Sequence, residues 1–142
     1  MRILNNSYDA NEELLTLPRE YPVELAKKNN DVVIYNSGFT TYNLDRFYEF
    51  LDNLKNGIKD KIRITEYYVD GPPVIKILDY NGNVIKLTID STRYGMVNEP
   101  YVFYGHYIDE KDEIIGDYLV KSFYLINDNK EKSIIEYIIR KI

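Results

Sequence analysis

The chain has 142 residues, of which 44% are hydrophobic and 29% are charged; this is an ordinary globular composition and excludes a largely disordered chain. Its net charge of -5 lacks the basic surplus that neutralises nucleic-acid phosphates, so we expect no nucleic-acid partner. It contains no cysteine, which excludes disulfides, cysteine nucleophiles and cysteine-ligated metals.

The first 17 residues are polar and weakly patterned, so we expect a loosely ordered N-terminal segment followed by one domain over residues 18–142. The apolar runs are too short for a transmembrane helix. The sequence as written also begins without the apolar region of a signal peptide. We therefore expect a cytoplasmic protein, or a cell-envelope protein if a leader has been removed.

Two helices and one strand are predicted in the first third of that domain. Residues 21–30 are typical of a short helix with Pro22 in its first turn, and residues 31–35 form a β-branched run that predicts a strand. Residues 43–57 carry apolar side chains at the spacing of one buried helical stripe. Gly57 suits the left-handed end of that helix.

A β-hairpin is predicted around Asn81 and Gly82, which separate two alternating runs. If these two residues form the whole turn, Leu78 pairs with Ile85, and the hairpin has one apolar and one more polar face. We expect the apolar face to meet the helices and the other to be at least partly wet. Residues 61–69 should pair with the first strand of this hairpin.

The last third of the chain predicts two further strands, at 101–109 and 117–126, joined by an acidic loop. Residues 133–142 have helical spacing, but their isoleucines favour a strand. The predicted fold class is therefore α+β, with a mostly antiparallel sheet and two helices packed on one face.

One candidate binding surface is the polar face of this sheet. If Ile62 and Ile64 point inward, Arg63 and Tyr67 point outward beside Lys86. Such a basic and aromatic patch would suit an anionic ligand or an acidic peptide. The alternative is an ordinary solvated face with cross-strand pairs.

The stretch TIDSTRYG, residues 88–95, places Asp90 and Arg93 directly after the predicted hairpin. The hydroxyl side chains between them suit a turn, and Arg93 can pair with Asp90 to fix the exit of the strand. We therefore predict a structural corner, and we retain both residues as tentative binding residues.

Motifs for catalysis are scarce. His106 is the single histidine, and no nucleophile elbow or zinc-ligand spacing accompanies it. No glycine-rich phosphate loop is present, so we expect no metal and no cofactor. An acidic cluster lies in and next to the predicted loop, and it consists of Asp109, Glu110, Asp112 and Glu113. It would bind calcium or a basic partner; the alternative is a cluster that is only solvated.

Four segments together resemble an uncharacterised family of small domains from Gram-positive bacteria, many of which are similar to secreted lipoproteins. They are YPVELAKKNNDVV, NLDRFYEFLDNLKNGIKDKIRI, DGPPVIKILDYNG and DSTRYG, all between residues 18 and 95. The resemblance implies a single α+β domain and no particular activity, because the family is a domain of unknown function. The chain departs from the family pattern at several polar positions, including Asn30, Pro72, Ser91 and Tyr94.

These observations favour a non-enzymatic binding or accessory domain whose partner is an unidentified protein or small ligand. One alternative is an acidic inhibitor of the immunity type that covers a basic toxin. A second alternative is a hydrolase that uses carboxylates with His106.

Overall fold

The structure of the protein, a computed structural model, describes residues 9–142. The helices in this part of the chain are α1 (Ala10–Thr16), α2 (Val23–Lys28) and α3 (Leu44–Lys55). The strands are β1 (Val32–Tyr35), β2 (Thr40–Tyr42), β3 (Asp60–Glu66), β4 (Val74–Tyr80), β5 (Ile85–Asp90), β6 (Tyr101–Gly105), β7 (Tyr107–Ile115), β8 (Tyr118–Asn127) and β9 (Lys130–Lys141).

The strands form two sheets. The first sheet has six strands in the order β2-β1-β3-β4-β5-β6, and the second sheet has three in the order β7-β8-β9. All neighbours are antiparallel except β1 and β3, which are parallel. A parallel pair needs a long crossover, and α3 lies in the connection between these two strands.

Both faces of the first sheet are covered. One face packs against α3 and the second sheet, with Phe47 and Phe50 of α3 and Phe123 of β8 fully buried in that core. The opposite face carries Ile75 and Ile77 and packs against α1 and α2. Such two-sided burial removes the large apolar surface of the central strands from water, which is the main favourable term in folding.

The predicted fold class is wrong. The described chain is mostly strand, with a mixed sheet and a separate second sheet, and its three short helices are divided between the two faces of the first sheet. The sequence indicated where most strands lie and, correctly, that β3 pairs with β4 and β4 with β5, but not how the other strands pair. The final three strands cover the apolar face of the first sheet instead of extending it.

The β4–β5 hairpin forms, but its predicted register is wrong by two residues. Leu78 pairs with Leu87, and four residues connect the strands, because Tyr80 pairs with Ile85. The side-chain oxygen of Asn81 accepts hydrogen bonds from two backbone N–H groups of the turn, at 2.9 and 2.8 Å. A shift of two residues keeps every side chain on its predicted face. Helices α1 and α2 cover this polar face at Ile75 and Ile77, whereas Asp79 and Lys86 on the same face remain partly exposed.

The predicted strand 101–109 is divided between the sheets. It breaks at His106, and the predicted acidic loop is part of β7. The break brings Gly105 against β8, where an added Cβ would lie 2.5 Å from Cγ of Leu125. Only glycine allows this close approach of the two sheets. Residues 133–142 lie almost wholly in strand β9, as their composition favoured.

The expected loose order of the N-terminal segment does not hold for residues 10–16, because they form helix α1. Asp9 caps this helix by accepting a hydrogen bond from the backbone N–H of Asn11 at 2.9 Å, and Leu14 is buried against the first sheet. The first eight residues of the predicted loose segment lie outside the described residues.

Candidate functional site

Asp90 and Arg93 form the predicted corner, and their polar atoms are satisfied. Arg93 Nη1 lies 3.0 Å from Asp90 Oδ2, while Nε and Nη2 donate to the backbone oxygens of Arg19 and Pro18 at 3.2 and 2.9 Å. Asp90 Oδ1 accepts from the N–H and hydroxyl of Thr92. Both charged side chains are almost fully buried. The pair therefore holds the chain before α2 against the end of β5.

Arg63 and Tyr67 point to the predicted face but lie under α1 and α2, in a cluster here called the Asp31 network. Its members are Glu13, Tyr21, Asp31, Arg63, Thr65 and Tyr67. Asp31 accepts from Arg63 Nε at 2.9 Å and from the Tyr21 hydroxyl at 2.7 Å. The Tyr67 hydroxyl donates to the backbone oxygen of Tyr21 at 2.6 Å.

The electrostatics of the Asp31 network are those of a closed structural cluster. Burial by itself would lower the pKa of Arg63, but the nearby Asp31, Tyr21 and Glu13 raise it above its ordinary value. Burial is also the main cause that raises the pKa of Tyr67. Arg63 therefore stays charged and Tyr67 neutral at physiological pH.

Lys86 joins neither group. It lies opposite Asp79 in β4 and Tyr104 in β6, and no carboxylate among residues 9–142 is within ion-pair distance of it. The five tentative binding residues thus fall in three places: the Asp90–Arg93 corner, the Asp31 network and Lys86 itself. The structure does not bring them together as one site.

A different feature has the shape of a binding site: a cleft of about 600 Å³ between α3 and β7, here called the α3–β7 cleft. Helix α3 supplies one wall because its buried stripe packs on the first sheet and leaves one flank beside the second sheet. Its apolar lining consists of Leu51, Leu54, Tyr80, Ile108 and Phe123. Clefts of this size with apolar linings are the usual form of ligand sites.

Tyr80 is the unusual residue of this cleft. Its side chain is only 8% exposed, yet its hydroxyl has no hydrogen-bond partner within residues 9–142. In that part of the chain, the only side-chain oxygen that is both fully buried and unpaired belongs to Thr88. The Tyr80 hydroxyl is therefore not fully closed off from solvent, and Tyr80 is one of the residues that line the cleft. A buried phenol usually finds a partner, so this one is available to a ligand.

The polar rim of the cleft has a mixed charge. It comprises Tyr48, Asp52, Lys55, His106, Tyr107 and Glu110. Glu110 pairs with Lys121, and the Tyr48 hydroxyl lies 2.6 Å from the hydroxyl of Tyr137. Burial and this hydrogen bond raise the pKa of Tyr137. Asp52 and Lys55 have no ion pair in the described part of the chain, so each can meet a charged group of a ligand.

His106 lines the cleft but is not held as a catalytic base. It is exposed, and its side chain makes no hydrogen bond within residues 9–142, although its backbone N–H donates to the oxygen of Ile126 at 2.9 Å. A general base needs a partner that orients the imidazole and a nucleophile within reach. The described residues also contain no group of acids and histidine that could hold a metal ion.

Sequence reasoning missed the α3–β7 cleft, because its walls come from segments far apart in the chain. The sequence indicates only that Tyr80 ends the first strand of the predicted hairpin and that Glu110 belongs to an acidic cluster. A signal for Tyr80 existed, since a tyrosine at a core position implies a hydroxyl that needs a partner. Nothing in the sequence placed α3 beside β7.

Among residues 9–142, no helix has the length and hydropathy needed to cross a membrane. No curated protein and no solved structure matches the chain. The model of the family described as domain of unknown function DUF4362 matches residues 29–102, which is more than half of the chain and includes β1 to β5. The α3–β7 cleft thus lies between this matched part and the second sheet, which follows it. On this match, the chain belongs to the DUF4362 family, whose function is unknown.

Proposed function

We propose that the protein is a non-enzymatic binding domain and that its binding site is the α3–β7 cleft. The observation that carries the proposal is the Tyr80 hydroxyl, which is unpaired on a side chain that is only 8% exposed. A ligand with an apolar body would cover the partly exposed Leu51 and Leu54 and would give the Tyr80 hydroxyl a direct hydrogen bond in place of water.

Binding without catalysis agrees with the state of the charged groups. The buried carboxylates and guanidinium groups at Asp31, Arg63, Asp90 and Arg93 are bound to one another, and none lies in the cleft. His106 is at the rim without an orienting partner. The cleft therefore offers shape and hydrogen bonds but no prepared nucleophile.

Titration with indole, followed by amide chemical shifts, tests the proposal. We expect saturable shifts that are confined to the residues of the cleft. Because the Tyr80→Phe variant lacks only the unpaired hydroxyl, it should bind indole about threefold to tenfold more weakly than the natural chain.

The matched control is Tyr104→Phe, which removes the hydroxyl of a half-exposed tyrosine outside the cleft. This variant should bind indole as the natural chain does. Shifts scattered over the surface, or equal losses in the two variants, would contradict the proposal.

The proposal holds for a protein of the cytoplasm and equally for one of the cell envelope. A cleft of this kind needs neither a disulfide nor a cofactor to keep its shape, because both walls are anchored in the same core.

A further inference from the structure

Strand β7 forms one outer edge of the second sheet over nine residues. Ile115 and Tyr118 close a two-residue turn, and the residues that close such a turn form a hydrogen-bonded pair. Alternation along β7 then directs the backbone groups of Ile108, Glu110 and Asp112 away from β8. Within residues 9–142 these outward groups have no hydrogen-bond partner.

The first half of this free edge borders the α3–β7 cleft. Ile108 and Glu110 belong both to the edge and to the cleft lining, and α3 faces them from the other side with Leu51 and Asp52. An extended peptide in the cleft would therefore lie between a helix and an unpaired strand. Peptides that add to a sheet edge gain main-chain hydrogen bonds, and their alternate side chains enter the adjacent pocket.

The charge beside this edge selects the kind of peptide. Strand β7 carries four acids against one basic residue, Lys111: these acids are Asp109, Glu110, Asp112 and Glu113. Lys121 of β8 pairs with both Glu110 and Asp112, so four acids face two lysines and the edge stays negative. Asp52 and Lys55 at the rim of the cleft offset each other. Lysine or arginine side chains on the incoming strand would complement these charges across the new pairing.

We propose that the α3–β7 cleft takes an extended, lysine- or arginine-rich polypeptide segment, which pairs with β7 as a fourth strand of the second sheet. One aromatic side chain of the segment anchors it on Leu51 and Leu54, and its polar tip reaches the Tyr80 hydroxyl. This inference rests on the proposed function, because it names the partner of the same cleft.

The probe is a seven-residue peptide, blocked at both ends, that alternates lysine with valine and has a central tyrosine. We expect it to protect the amides of Ile108 and Glu110 from hydrogen exchange, because these amides point out of the sheet and become bonded to the added strand. A peptide with glutamate in place of lysine should bind at least about tenfold more weakly because like charges meet.

A second comparison isolates the main-chain pairing. A version of the lysine peptide that is N-methylated at every residue keeps its side chains and charge but has no N–H group on either edge with which to pair as a strand. We expect its affinity to fall about tenfold or more, because at least two hydrogen bonds are lost.

Two variants at one position give the matched test on the protein. Glu110→Ala removes the carboxylate, whereas Glu110→Pro also removes the outward N–H without breaking a bond to β8. Glu110→Pro should therefore bind the lysine peptide about threefold to tenfold more weakly than Glu110→Ala.

Three results would overturn the inference: equal binding of the methylated peptide, no protection of the two amides, or equal affinities of the two variants. The comparison with the methylated peptide uses only the natural chain, so it remains decisive even if Glu110→Pro fails to fold. Acidic residues on an edge can also serve to discourage pairing with other strands. If that is their only role in β7, the amides of Ile108 and Glu110 stay unprotected. If indole binds and the lysine peptide does not, the inference fails and the proposed function stands; if neither binds, both fail.

Discussion

Arg93 uses its guanidinium group to join three segments of the chain. It pairs with Asp90 at the end of β5 and donates to the backbone of residues 18 and 19, which precede α2. Its side chain is 6% exposed, and each of its three nitrogens has a partner. A guanidinium group that is this buried and held at each nitrogen by the chain itself is poorly placed to meet a ligand, and its contacts hold the corner.

We predict that Arg93→Ala lowers the free energy of unfolding by about 2–4 kcal/mol, because it leaves the Asp90 carboxylate buried without its charge partner. Urea denaturation measures this loss. Indole binding in the α3–β7 cleft should remain unchanged. Arg19→Ala removes an exposed arginine from the same region, and a similar loss of stability in that control would contradict the prediction.

At the scale of elements, Asp60 fastens α3 to β3. Its carboxylate accepts from Arg46 Nη1 at 2.8 Å and from Asn53 Nδ2 at 2.9 Å, both on α3, and from the backbone N–H of Lys61 at 2.8 Å. Burial by itself would raise the pKa of Asp60, but these hydrogen bonds and the charge of Arg46 bring it below 3.8. The same contacts hold the helix that forms one wall of the cleft.

We predict that Asp60→Asn lowers the free energy of unfolding by about 2 kcal/mol at pH 7, because the charged pair with Arg46 is lost. The lowered pKa in the folded state means that this contribution is fully present above pH 3.8 and is lost as the pH falls through the folded-state pKa. The stability difference between the two proteins should therefore shrink below pH 3.8.

Urea denaturation of both proteins between about pH 2.5 and about pH 7 measures this difference, because the range spans the ordinary pKa of aspartate. Asp70→Asn, at an exposed loop position, is the control and should be close to neutral throughout. A difference between Asp60→Asn and the natural chain that stays constant with pH would count against the prediction.

At the scale of the whole molecule, a buried ion pair connects the two sheets. Lys76 Nζ on β4 lies 3.0 Å from Glu66 Oε1 on β3 and donates to the backbone oxygen of Ile134 on β9 at 2.7 Å. The Tyr68 hydroxyl also donates to Glu66, at 3.1 Å. Lysine and glutamate are rarely this buried unless they are paired, and the bond from Lys76 to Ile134 adds a polar contact to the apolar packing between the two sheets.

We predict that Lys76→Met lowers the free energy of unfolding by about 3–5 kcal/mol, because Glu66 stays buried without its partner. The double variant Lys76→Met with Glu66→Gln should recover a large part of that loss, since no buried charge remains. Chemical denaturation of the natural chain and of the two variants measures both effects. A double variant that is no more stable than Lys76→Met would refute this account.

Several local features could be predicted from the sequence. The stripe of α3, the strands at 31–35 and 74–80 and the division of the hairpin faces follow from periodicity, and the structure has them. The corner at Asp90 and Arg93 was predicted from turn chemistry between neighbours in the chain. These features depend on contacts between residues close in sequence, which is why one sequence suffices to find them.

Beyond the predicted pairing of β3, β4 and β5, tertiary structure alone decided which strands pair and which faces are covered. The parallel contact of β1 with β3, the break at His106 and the second sheet depend on which apolar surfaces meet, and many pairings of the same strands satisfy the same periodicity. The candidate site is the clearest case, because the α3–β7 cleft joins Leu51, Tyr80 and Ile108 from three separate segments. Composition and local pattern thus determined an acidic, cysteine-free domain of helices and strands. Only the packing of the second sheet beside α3 created the cleft that we propose as the binding site.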